Sequence, residues 1–418
     1  MLVFKFGGAS VKDAEGIINL TRIIKGYDSA EILVVVSAMG KTTNGLEKLT
    51  KAYVEQADDL HNIYDDIKAY HFNILRELFD PGHPVFDDIQ NTFVEIDWII
   101  EDDPQDEYDF IYDQIVSIGE LVSSRIVAAY LNHGGVKGHW LDARGYIHTD
   151  NTYREGLVQW DKTCAAIQLD IPALLQKGIV ITQGFIGGTS ENFTTTLGRE
   201  GSDYTASIFA SCLQAESVTT WKDVPGILNA DPKLFTDTVK FDELSYTEAI
   251  EMTYYGATVI HPKTIKPLQN ANIPLLVKPF NDPMGSGTVI KAEAINHFEK
   301  PVIIVKKNQV MLSISTTDYS FISEDHLSNI FRLFAKSQVK TNVIQTSALS
   351  FIVCIDFNPE RFNNLLSALK EDFKVRYNDE LTLITIRHYA ENSIKEITAN
   401  KQVFLEQLSR NTAQVVFK

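Results

Sequence analysis

Residues 179–213 read IVITQGFIGGTSENFTTTLGREGSDYTASIFASCL, in which an apolar run leads through a loop rich in glycine and hydroxyl side chains into an amphipathic helix. The helix starts near Ser202-Asp203, and a helix N-terminus presents free backbone N–H groups that suit an anion. Arg199 stands just before it and is suited to clamp a carboxylate. A long hairpin with an ordinary helix cap would explain the same residues, but the density of glycine and hydroxyls favours a binding site.

Short apolar runs of the same kind alternate with longer amphipathic stretches over roughly the first 300 residues. The runs are residues 2–6, 32–37, 136–141, 179–185, 217–221 and 274–280. Near-continuous apolar strands separated by helices are typical of a mostly parallel sheet that is covered on both faces. The pattern therefore predicts an α/β fold in which ligands bind at the carboxyl ends of the strands.

The pattern changes from about residue 300. Strands and helices follow in the order of one βαββαβ unit plus half of another, which predicts a second domain of the α+β class. Asn358-Pro359 gives one of these helices an N-cap and a proline at its first position. The region 284–301 separates the two patterns, so we predict domains at 1–295 and 296–418, with the second unit of the latter incomplete.

Composition restricts the class of protein. The 418 residues are 44% hydrophobic and 22% charged, as in an ordinary globular protein, and the net charge of -17 disfavours a nucleic-acid-binding surface. The three cysteines, Cys164, Cys212 and Cys354, lie far apart, which argues against a disulfide framework or a zinc site and fits a reducing cytoplasm. No apolar run has the length of a membrane span, so we expect a cytoplasmic protein without a membrane partner.

Residues 45–113 are mainly helical and become very acidic near their end, in FDDIQNTFVEIDWIIEDDPQDEYDF. A metal site is one interpretation of these carboxylates. Charge runs are more often solvated surface, and no spacing here resembles a calcium loop. We therefore expect a solvated helical face and predict no protein-held metal.

Lys5 lies in KFGGAS, at the end of the first apolar run, ahead of two glycines. A phosphate loop of the form GxxxxGK[ST] places its lysine after the glycines, and a dinucleotide fingerprint needs GxGxxG, so neither is present. The chain also has no Ser-His-Asp order and no reactive-cysteine context. Phosphoryl transfer fits what remains, because it depends on positioning and charge neutralisation, and an ionised carboxylate acceptor needs no general base.

Six motifs carry a family resemblance. In chain order they are KFGGASV, VSAMGKTTN, SIGE, TTTLGREGSDYTA, WKDVPGI and YGATVIHP, within residues 1–300. Together they resemble aspartate kinase (aspartokinase) of the amino acid kinase family. The resemblance implies an amino-acid-kinase three-layer αβα sandwich with a mostly parallel sheet, followed by an α+β ferredoxin-like regulatory domain of the ACT type.

The activity implied by the resemblance is a phosphotransfer to a carboxyl group. ATP, with Mg²⁺, would phosphorylate the β-carboxylate of L-aspartate to 4-phospho-L-aspartate, the first step to lysine (through diaminopimelate), threonine and methionine. The resemblance also implies a homodimer formed through the ACT-type domain, and a feedback amino acid such as lysine or threonine.

The resemblance assigns a role to individual residues. Lys5 would neutralise the transferring phosphoryl group and Asp203 would organise Lys5, while Arg199 and Glu120 would take the α-carboxylate and the ammonium group of aspartate. The other assigned residues are Ser37, Thr43 and Ser202 for aspartate; Gly7, Gly8, Ser10, Lys222, Asp223, Lys233 and Thr258 for the nucleotide; and Asn342, Thr346 and Ser347 for a feedback amino acid.

Two positions depart from the family motifs. Glu200 replaces the middle glycine of LGRGGSD, and a glutamate fits beside an anion-binding loop only if its side chain points to solvent. Thr258 replaces a lysine that contacts the nucleotide in the family, and Lys222 is the candidate to supply the missing charge. In the tail, Asn342 and Ala348 replace an aspartate and a glutamate. A tail that only supports dimerisation is therefore the alternative to an effector site.

Three other functions are weighed against aspartate kinase. A kinase of the same fold acting on glutamate, acetylglutamate, carbamate or UMP is disfavoured by the insert at 45–113, by SIGE and by the ACT-like tail. A non-catalytic amino-acid sensor is disfavoured by the intact set of Lys5, Arg199 and Asp203. A dinucleotide-dependent oxidoreductase lacks its fingerprint.

Overall fold

The chain forms two compact units in a computed structural model that describes residues 1–27, 31–257, 260–294, 298, 300–318 and 320–418. The first unit comprises Met1–Ile227, Lys240–Ile250 and Val259–Asn296, and the second comprises Leu228–Val239, Glu251–Thr258 and His297–Lys418. Two short segments before residue 295 therefore pack with the second unit. The prediction of a single boundary at residue 295 does not account for these two segments.

The first unit contains ten strands and ten α-helices among the described residues. The strands are β1 (Leu2–Phe6), β2 (Ile32–Val36), β3 (Gly138–Leu141), β4 (Ile179–Gln183), β5 (Ile186–Gly188), β6 (Thr194–Thr196), β7 (Ser217–Lys222), β8 (Glu243–Ser245), β9 (Leu275–Pro279) and β10 (Thr288–Lys291). The helices are α1 (Ala14–Lys25), α2 (Thr42–Val54), α3 (Leu60–Leu78), α4 (Val85–Ile100), α5 (Tyr108–Val116), α6 (Ile118–His133), α7 (Trp160–Leu175), α8 (Gly201–Leu213), α9 (Tyr246–Tyr254, with its last turn in the second unit) and α10 (Pro262–Ala271).

Eight of these strands form one sheet in the order β3-β4-β2-β1-β7-β9-β10-β8. The six apolar runs of the sequence are the six strands from β3 to β9 in that order, and each pairs in parallel with its neighbour. The predicted α/β fold is thus confirmed. The chain moves from β1 to β2 on one side and later to β7 on the other, and this reversal is where ligands bind in such sheets.

The helical insert contributes to the core as well as to the surface. Tyr64, Ile74 and Phe93 of α3 and α4 are buried in the same cluster as Phe4 and Val34 of the central strands. The acidic residues that follow α4 are exposed, as expected for a solvated face. The stretch Tyr108–His133 is long and apolar enough to cross a membrane by composition, but 78% of its most apolar window is buried inside the fold, as in the core helix of a soluble protein.

The second unit is built on a six-stranded antiparallel sheet in the order β12-β13-β11-β14-β16-β15. Its strands are β11 (Val302–Thr316), β12 (Thr341–Thr346), β13 (Phe351–Asp356), β14 (Phe373–Arg387), β15 (Val403–Leu408) and β16 (Thr412–Phe417), and its helices are α11 (Glu324–Lys336), α12 (Pro359–Asp372) and α13 (Glu391–Thr398). Asn358 caps α12 and Pro359 opens it, as predicted.

The long strands β11 and β14 each belong to both halves of this sheet. Each half therefore has four strands, although the sequence contains only one βαββαβ unit and half of another. The later parts of β11 and the earlier parts of β14 pair with each other beside β13 and β12. The first residues of β11, Val302–Lys306, pair with Leu383–Arg387 of β14 beside β16 and β15. The start of β11 therefore supplies the strand that the half-repeat lacks. Phe235 packs against the core of this second half, which includes Ile394 of α13.

The cysteines correct one expectation. Cys164 of α7 and Cys212 of α8 form a disulfide, although their separation of 48 residues gives no sign of it in the sequence. The two helices pack side by side and bring the Cα atoms to 5.0 Å, within the range that a disulfide spans. The interpretation of these two cysteines as unpaired was wrong, whereas Cys354 is free and buried.

Candidate active site

The centre of the site is an ion pair between β1 and the start of α8. Lys5 Nζ lies 3.1 Å from Asp203 Oδ2, and the two side chains are 9% and 7% exposed. Thr220 of the neighbouring strand β7 donates a hydrogen bond of 3.3 Å to Asp203 Oδ1. The structure thus brings together a lysine from a strand end and an aspartate from a helix start, which the sequence placed in one site.

Asp203 stays ionised despite its burial. Burial by itself raises the pKa of this carboxyl, but the charges of Lys5 and Lys222 and hydrogen bonds from Lys5 and Thr220 outweigh it, and the pKa lies below its ordinary value. A carboxylate that is held negative keeps the ammonium group of Lys5 in a fixed place. The pair therefore offers an oriented positive charge at the carboxyl end of the central strand.

Two glycines permit the close approaches around this pair. A Cβ on Gly8 would lie 2.6 Å from the carbonyl oxygen of Ala38, so glycine lets the turn after β1 touch the turn after β2. A Cβ on Gly184 would lie 2.4 Å from Cβ of Ser202, so glycine lets the end of β4 touch the start of α8. Gly7 lies beside the lysine, since a Cβ there would be 3.7 Å from Lys5 Nζ.

Glu120 is a buried carboxylate with an unused oxygen. It lies in the first turn of α6, is 2% exposed, and accepts a long hydrogen bond of 3.4 Å from the Ala38 N–H through Oε1. Oε2 is buried and has no partner among the described residues. Burial raises the pKa of this carboxyl to about 8, an effect that the Ala38 N–H partly offsets. A cationic ligand would supply the missing partner.

Arg199 and Glu200 lie in the turn between β6 and α8. Arg199 is exposed and forms no hydrogen bond or ion pair with any described residue, so its guanidinium is available to a ligand. Glu200 adopts φ 54° and ψ 30°, a left-handed conformation that favours glycine. Its Oε2 is buried without a partner among the described residues. This oxygen therefore does not point to solvent, although the residue as a whole is only half-buried.

The start of α8 has fewer free N–H groups than the sequence suggested. The N–H of Gly201 donates to the Gly198 carbonyl at 3.0 Å, and those of Asp203 and Tyr204 donate to the Glu200 carbonyl at 3.1 Å. Within the described chain, the N–H and the hydroxyl of Ser202 form no hydrogen bond. Ser202 is therefore the position of this turn that can still donate to a ligand.

The turn after β2 and the start of α2 carry the other predicted aspartate contacts. Ser37 donates its N–H to the Phe6 carbonyl at 3.1 Å and accepts from Ser123 at 2.7 Å through its own carbonyl. Thr43 is half-buried, and its hydroxyl has no hydrogen bond to the described residues. The preceding Thr42 is buried against His71 of α3, with 3.2 Å between Oγ1 and Nε2. The helical insert thus supports this turn.

Most of the predicted nucleotide residues lie at the ends of β1 and β7 or just after them. Ser10 is buried and donates to the Trp221 carbonyl at 3.3 Å. Lys222 ends β7, and Asp223 is exposed. Ser10 and Asp223 both border a cavity of about 570 Å³, which is also lined by Asn281. This cavity lies at the carboxyl ends of three adjacent strands, β1, β7 and β9.

The remaining predicted residues lie elsewhere. Lys233 is exposed in the second unit, and Thr258 lies outside the described residues. Asn342 is held in a network with Lys306, Gln309 and Asp356, with its Oδ1 2.9 Å from Lys306 Nζ. The last two predicted regulatory residues are exposed: Thr346, and Ser347, whose hydroxyl bonds to Ser350. Of the three, Asn342 is the one whose side chain is already fully engaged.

The sequence interpretation missed two residues that support the site. Thr220 is an ordinary strand threonine in the sequence, and only the fold places its hydroxyl beside Asp203. Asp113 of α5 is fully buried and accepts three hydrogen bonds, two of them from Thr196 of β6. The signal that was available for Asp113 is a single aspartate within the apolar helix FIYDQIVSIG.

No group of three or more His, Cys, Asp or Glu side chains converges as a metal site in the part of the chain that the structure describes. The site instead combines a buried lysine, an accessible arginine and an unpaired buried carboxylate. Such a set can bind an amino acid by both of its α-substituents and stabilise negative charge on a phosphoryl group.

Comparison with known proteins identifies relatives over most of the chain. The model of the amino acid kinase family matches residues 1–279. Lysine-sensitive aspartokinase 3 of Escherichia coli (strain K12) is 32% identical over 356 residues, which cover 85% of this chain and 78% of that protein. Chloroplastic aspartokinase 1 of Arabidopsis thaliana is 32% identical over 365 residues, which cover 85% of this chain and 63% of that protein.

Solved structures agree with these sequence relatives. E. coli aspartokinase III in complex with aspartate and ADP superposes with a TM-score of 0.84 at 26% identity, and the match covers 100% of this chain and 96% of that one. The aspartate kinase of Clostridium acetobutylicum gives a TM-score of 0.79 at 22% identity over 100% and 96% of the two chains, which supports the fold alone.

Proposed function

The chain belongs to the amino acid kinase family as an aspartokinase, and from this premise we propose how its site phosphorylates aspartate. The reaction transfers the γ-phosphoryl group of ATP to the β-carboxylate of L-aspartate and yields 4-phospho-L-aspartate, at the start of lysine, threonine and methionine synthesis. The observation that carries the assignment is the buried ion pair of Lys5 and Asp203. It is supported by a buried Glu120 oxygen and an exposed Arg199 guanidinium that have no partner among the described residues.

Aspartate is held by side-chain groups that have no partner among the described residues. The guanidinium of Arg199 binds the α-carboxylate through two hydrogen bonds. The unpaired Oε2 of Glu120 receives the ammonium group, which replaces a buried orphan acceptor by an ion pair. Thr43, Ser37 and the free N–H and hydroxyl of Ser202 complete the contacts and fix the β-carboxylate towards the phosphoryl donor.

Phosphoryl transfer then needs charge neutralisation rather than a base. The β-carboxylate of aspartate is ionised at neutral pH and is itself the nucleophile. Lys5 stabilises the negative charge of the phosphoryl group in the transition state, and Asp203 holds Lys5 in position. Mg²⁺ would enter with the nucleotide as MgATP, bound to its phosphates.

The nucleotide residues are proposed from the motifs and from their places. Gly7 lies beside Lys5, and Ser10 and Asp223 border one cavity at the strand ends. Lys222 acts on the same carboxylate as Lys5 and supplies positive charge near the phosphates. The assignments of Gly8, Lys233 and Thr258 to the nucleotide rest on the motifs alone.

We propose that residues 296–418 form the ACT-type regulatory domain after a catalytic domain at 1–295. This tail forms a cytoplasmic homodimer and binds a feedback amino acid, lysine or threonine, through Thr346 and Ser347. Asn342 contributes only if its network with Lys306 and Asp356 opens.

A hydroxamate assay tests the function directly. The protein is incubated with ATP, Mg²⁺, L-aspartate and hydroxylamine, and aspartyl hydroxamate is measured, with L-glutamate and N-acetylglutamate as competing acids. We expect product with aspartate and none with the other two. Product with glutamate alone would indicate another kinase of the fold, and no product with any acid would indicate a sensor. Added lysine or threonine tests the regulatory proposal in the same assay.

A further inference from the structure

Asp113 is a buried carboxylate outside the residues assigned to the reaction, and it accepts three hydrogen bonds. Its Oδ2 accepts from the N–H of Arg154 at 2.8 Å and from the N–H of Thr196 at 2.9 Å, and its Oδ1 accepts from the Thr196 hydroxyl at 2.7 Å. The side chain is fully buried. Burial raises the pKa of this carboxyl to about 6, while these hydrogen bonds oppose the rise.

The neighbouring residue extends the same contact. The side-chain amide of Gln114 donates to the Thr194 carbonyl at 2.9 Å, and its oxygen accepts from the Thr194 N–H at 3.1 Å. Two consecutive side chains of α5 therefore bind strand β6 as a partner strand would. They occupy polar backbone groups that the two-stranded sheet of β5 and β6 leaves open.

The clamped strand leads directly to the arginine of the site. Thr196 is also held through its carbonyl, which accepts from the Gly156 N–H at 2.8 Å, and Leu197 donates its N–H to the Phe185 carbonyl at 2.8 Å. The turn then closes between Gly198 and Gly201. Arg199 thus follows a rigid anchor at Thr196 and precedes helix α8. Its guanidinium has no partner among the described residues, so its position depends on its backbone.

The same helix fixes the other group that meets the α-substituents of aspartate. Helix α5 ends at Val116, and Ser117 joins it to α6, which carries Glu120 in its first turn. The carbonyl of Ser117 accepts from the Glu120 N–H at 3.1 Å. Helix α5 therefore contacts the strand that leads to Arg199 and is joined directly to the helix that carries Glu120. The relative position of the two residues depends on this one helix.

We propose that Asp113 is a positioning residue for aspartate binding: its carboxylate clamps Thr196 and so sets the distance between Arg199 and Glu120. The inference rests on the proposed function, in which Arg199 binds the α-carboxylate. Asp113 touches neither substrate nor nucleotide. Its effect is on the KM for aspartate, because a misplaced guanidinium weakens the grip on the substrate without changing the nucleotide contacts.

Asp113→Ala is the direct test. It leaves three buried donors without an acceptor, and we expect the KM for aspartate to rise on the order of tenfold, with the KM for ATP unchanged within about twofold. Asp113→Asn retains an oxygen for the two N–H groups and an N–H₂ for the Thr196 hydroxyl, so it should stay close to wild type. Asp109→Ala, which removes an exposed partner of Arg154 on the same helix, is the control.

Thr196→Val provides a second route if the alanine variant does not fold. It removes the hydroxyl donor and keeps the β-branched shape, and a smaller rise in the KM for aspartate is expected, with recovery in Thr196→Ser. Circular dichroism and thermal melting show that each assayed variant is folded. If folded Asp113→Ala and Thr196→Val both keep the wild-type KM for aspartate, or if Asp113→Asn is as damaging as Asp113→Ala, the clamp is refuted.

A double-mutant cycle separates this inference from the proposed function. If Asp113 acts through Arg199, Asp113→Ala adds no further rise in the KM for aspartate once Arg199→Ala is present. Additive effects would overturn the route through Arg199. If Arg199→Ala raises the KM and Asp113→Ala does not, the clamp fails and the proposed function stands. If Arg199→Ala has no effect by itself, the assigned role of Arg199 fails, and the clamp fails with it.

Discussion

Lys5 Nζ and Asp203 Oδ2 lie 3.1 Å apart, and each side chain is more than nine-tenths buried. A buried ion pair contributes little net stability, because desolvation offsets much of the attraction. Its value here is a positive charge that is held at the strand end before the substrates arrive. In the proposed function, the approach of a phosphoryl group adds negative charge to that place, and Lys5 is already oriented to meet it.

Lys5→Met is expected to lower kcat by at least about a hundredfold, the scale of removing one preorganised group that stabilises transition-state charge. It also leaves Asp203 buried with less positive charge beside it, so the free energy of unfolding should fall by about 3 kcal/mol. Chemical denaturation and steady-state kinetics measure the two effects. Lys51→Met, at an exposed lysine of α2, is the control.

The double variant Lys5→Met with Asp203→Asn tests the cause of the instability. Removing the aspartate charge as well should restore much of the lost stability while kcat stays low. A Lys5→Met protein with a kcat within tenfold of wild type would rule out the assigned role of Lys5.

The raised pKa of the Glu120 carboxyl predicts that aspartate binding depends on pH. Its pKa is raised to about 8 in the free protein by burial, so the carboxyl is mostly protonated at pH 7. An ammonium group favours the ionised form, and kcat/KM for aspartate should therefore rise with pH until about 8. Glu120→Gln should flatten this part of the profile and raise the KM. A wild-type profile that is flat from pH 6 to 8 would contradict the assignment.

The same pKa has a consequence for stability. The carboxyl titrates at its ordinary value near 4.5 in the unfolded chain and at about 8 in the fold, so the fold prefers the protonated form. The stabilisation from this group is fully present below pH 4.5 and is lost as the pH rises through 8. Thermal melts should show this decline, and they should show less of it in Glu120→Gln or with saturating aspartate.

Lys222 is expected to serve the nucleotide. Its charge lowers the pKa of Asp203, so it lies near enough to act on the same region as Lys5. Lys222→Ala should raise the KM for ATP several-fold, the scale of about 1 kcal/mol, with a smaller change in the KM for aspartate. Lys177→Ala, at an exposed lysine just before β4, serves as the matched control. An unchanged KM for ATP would show that Lys222 does not replace the family's lysine.

The parallel sheet and its ligand-binding edge could be predicted because the strands are buried on both faces. Such strands are apolar throughout, as in ILVVV of β2, and their carboxyl ends must share one edge. Lys5, Arg199 and Asp203 stand next to strand ends or a helix start, so local sequence sufficed to select them. Glu120 is different: it lies on a helix, and only its motif, not its spacing, marked it.

What could not be predicted depends on contacts between distant elements. The role of Asp113 requires that α5 pack against β6, and the disulfide requires that α7 pack against α8. The completed half-sheet of the second unit requires that β11 and β14 run on past one repeat into the next. No local pattern reports these pairings, since each is set by long-range packing rather than by periodicity.

The Cys164–Cys212 disulfide should stabilise the first unit. It joins two packed helices across 48 residues of sequence, and a loop of this length corresponds to roughly 4 kcal/mol in the chain-entropy account of cross-links. Thiol labelling of denatured, unreduced protein should modify Cys354 alone, and reduction should lower Tm. Cys354→Ser is the control for labelling. Three reactive thiols before reduction would show that the bond does not form.

Glu200→Gly is expected to stabilise the protein. Glu200 adopts a left-handed backbone conformation, and it buries an acceptor oxygen that has no partner among the described residues. Glycine removes the backbone strain and the orphan oxygen, at the cost of greater freedom in the unfolded chain, so a net gain of about 1 kcal/mol in the free energy of unfolding is expected.

Gln214→Gly is the matched control for this variant. Gln214 adopts the same conformation, with φ 51° and ψ 50°, at the other end of α8, but its side chain is exposed and donates to the Ser211 carbonyl. Chemical denaturation measures the change in the free energy of unfolding for each glycine variant. The backbone effect is common to both, so the difference between the two changes gives the cost of burying the Glu200 carboxylate. If Gln214→Gly raises the free energy of unfolding as much as Glu200→Gly does, the burial of the Glu200 carboxylate costs no free energy. That result would mean that its oxygen has a hydrogen-bond partner in solution.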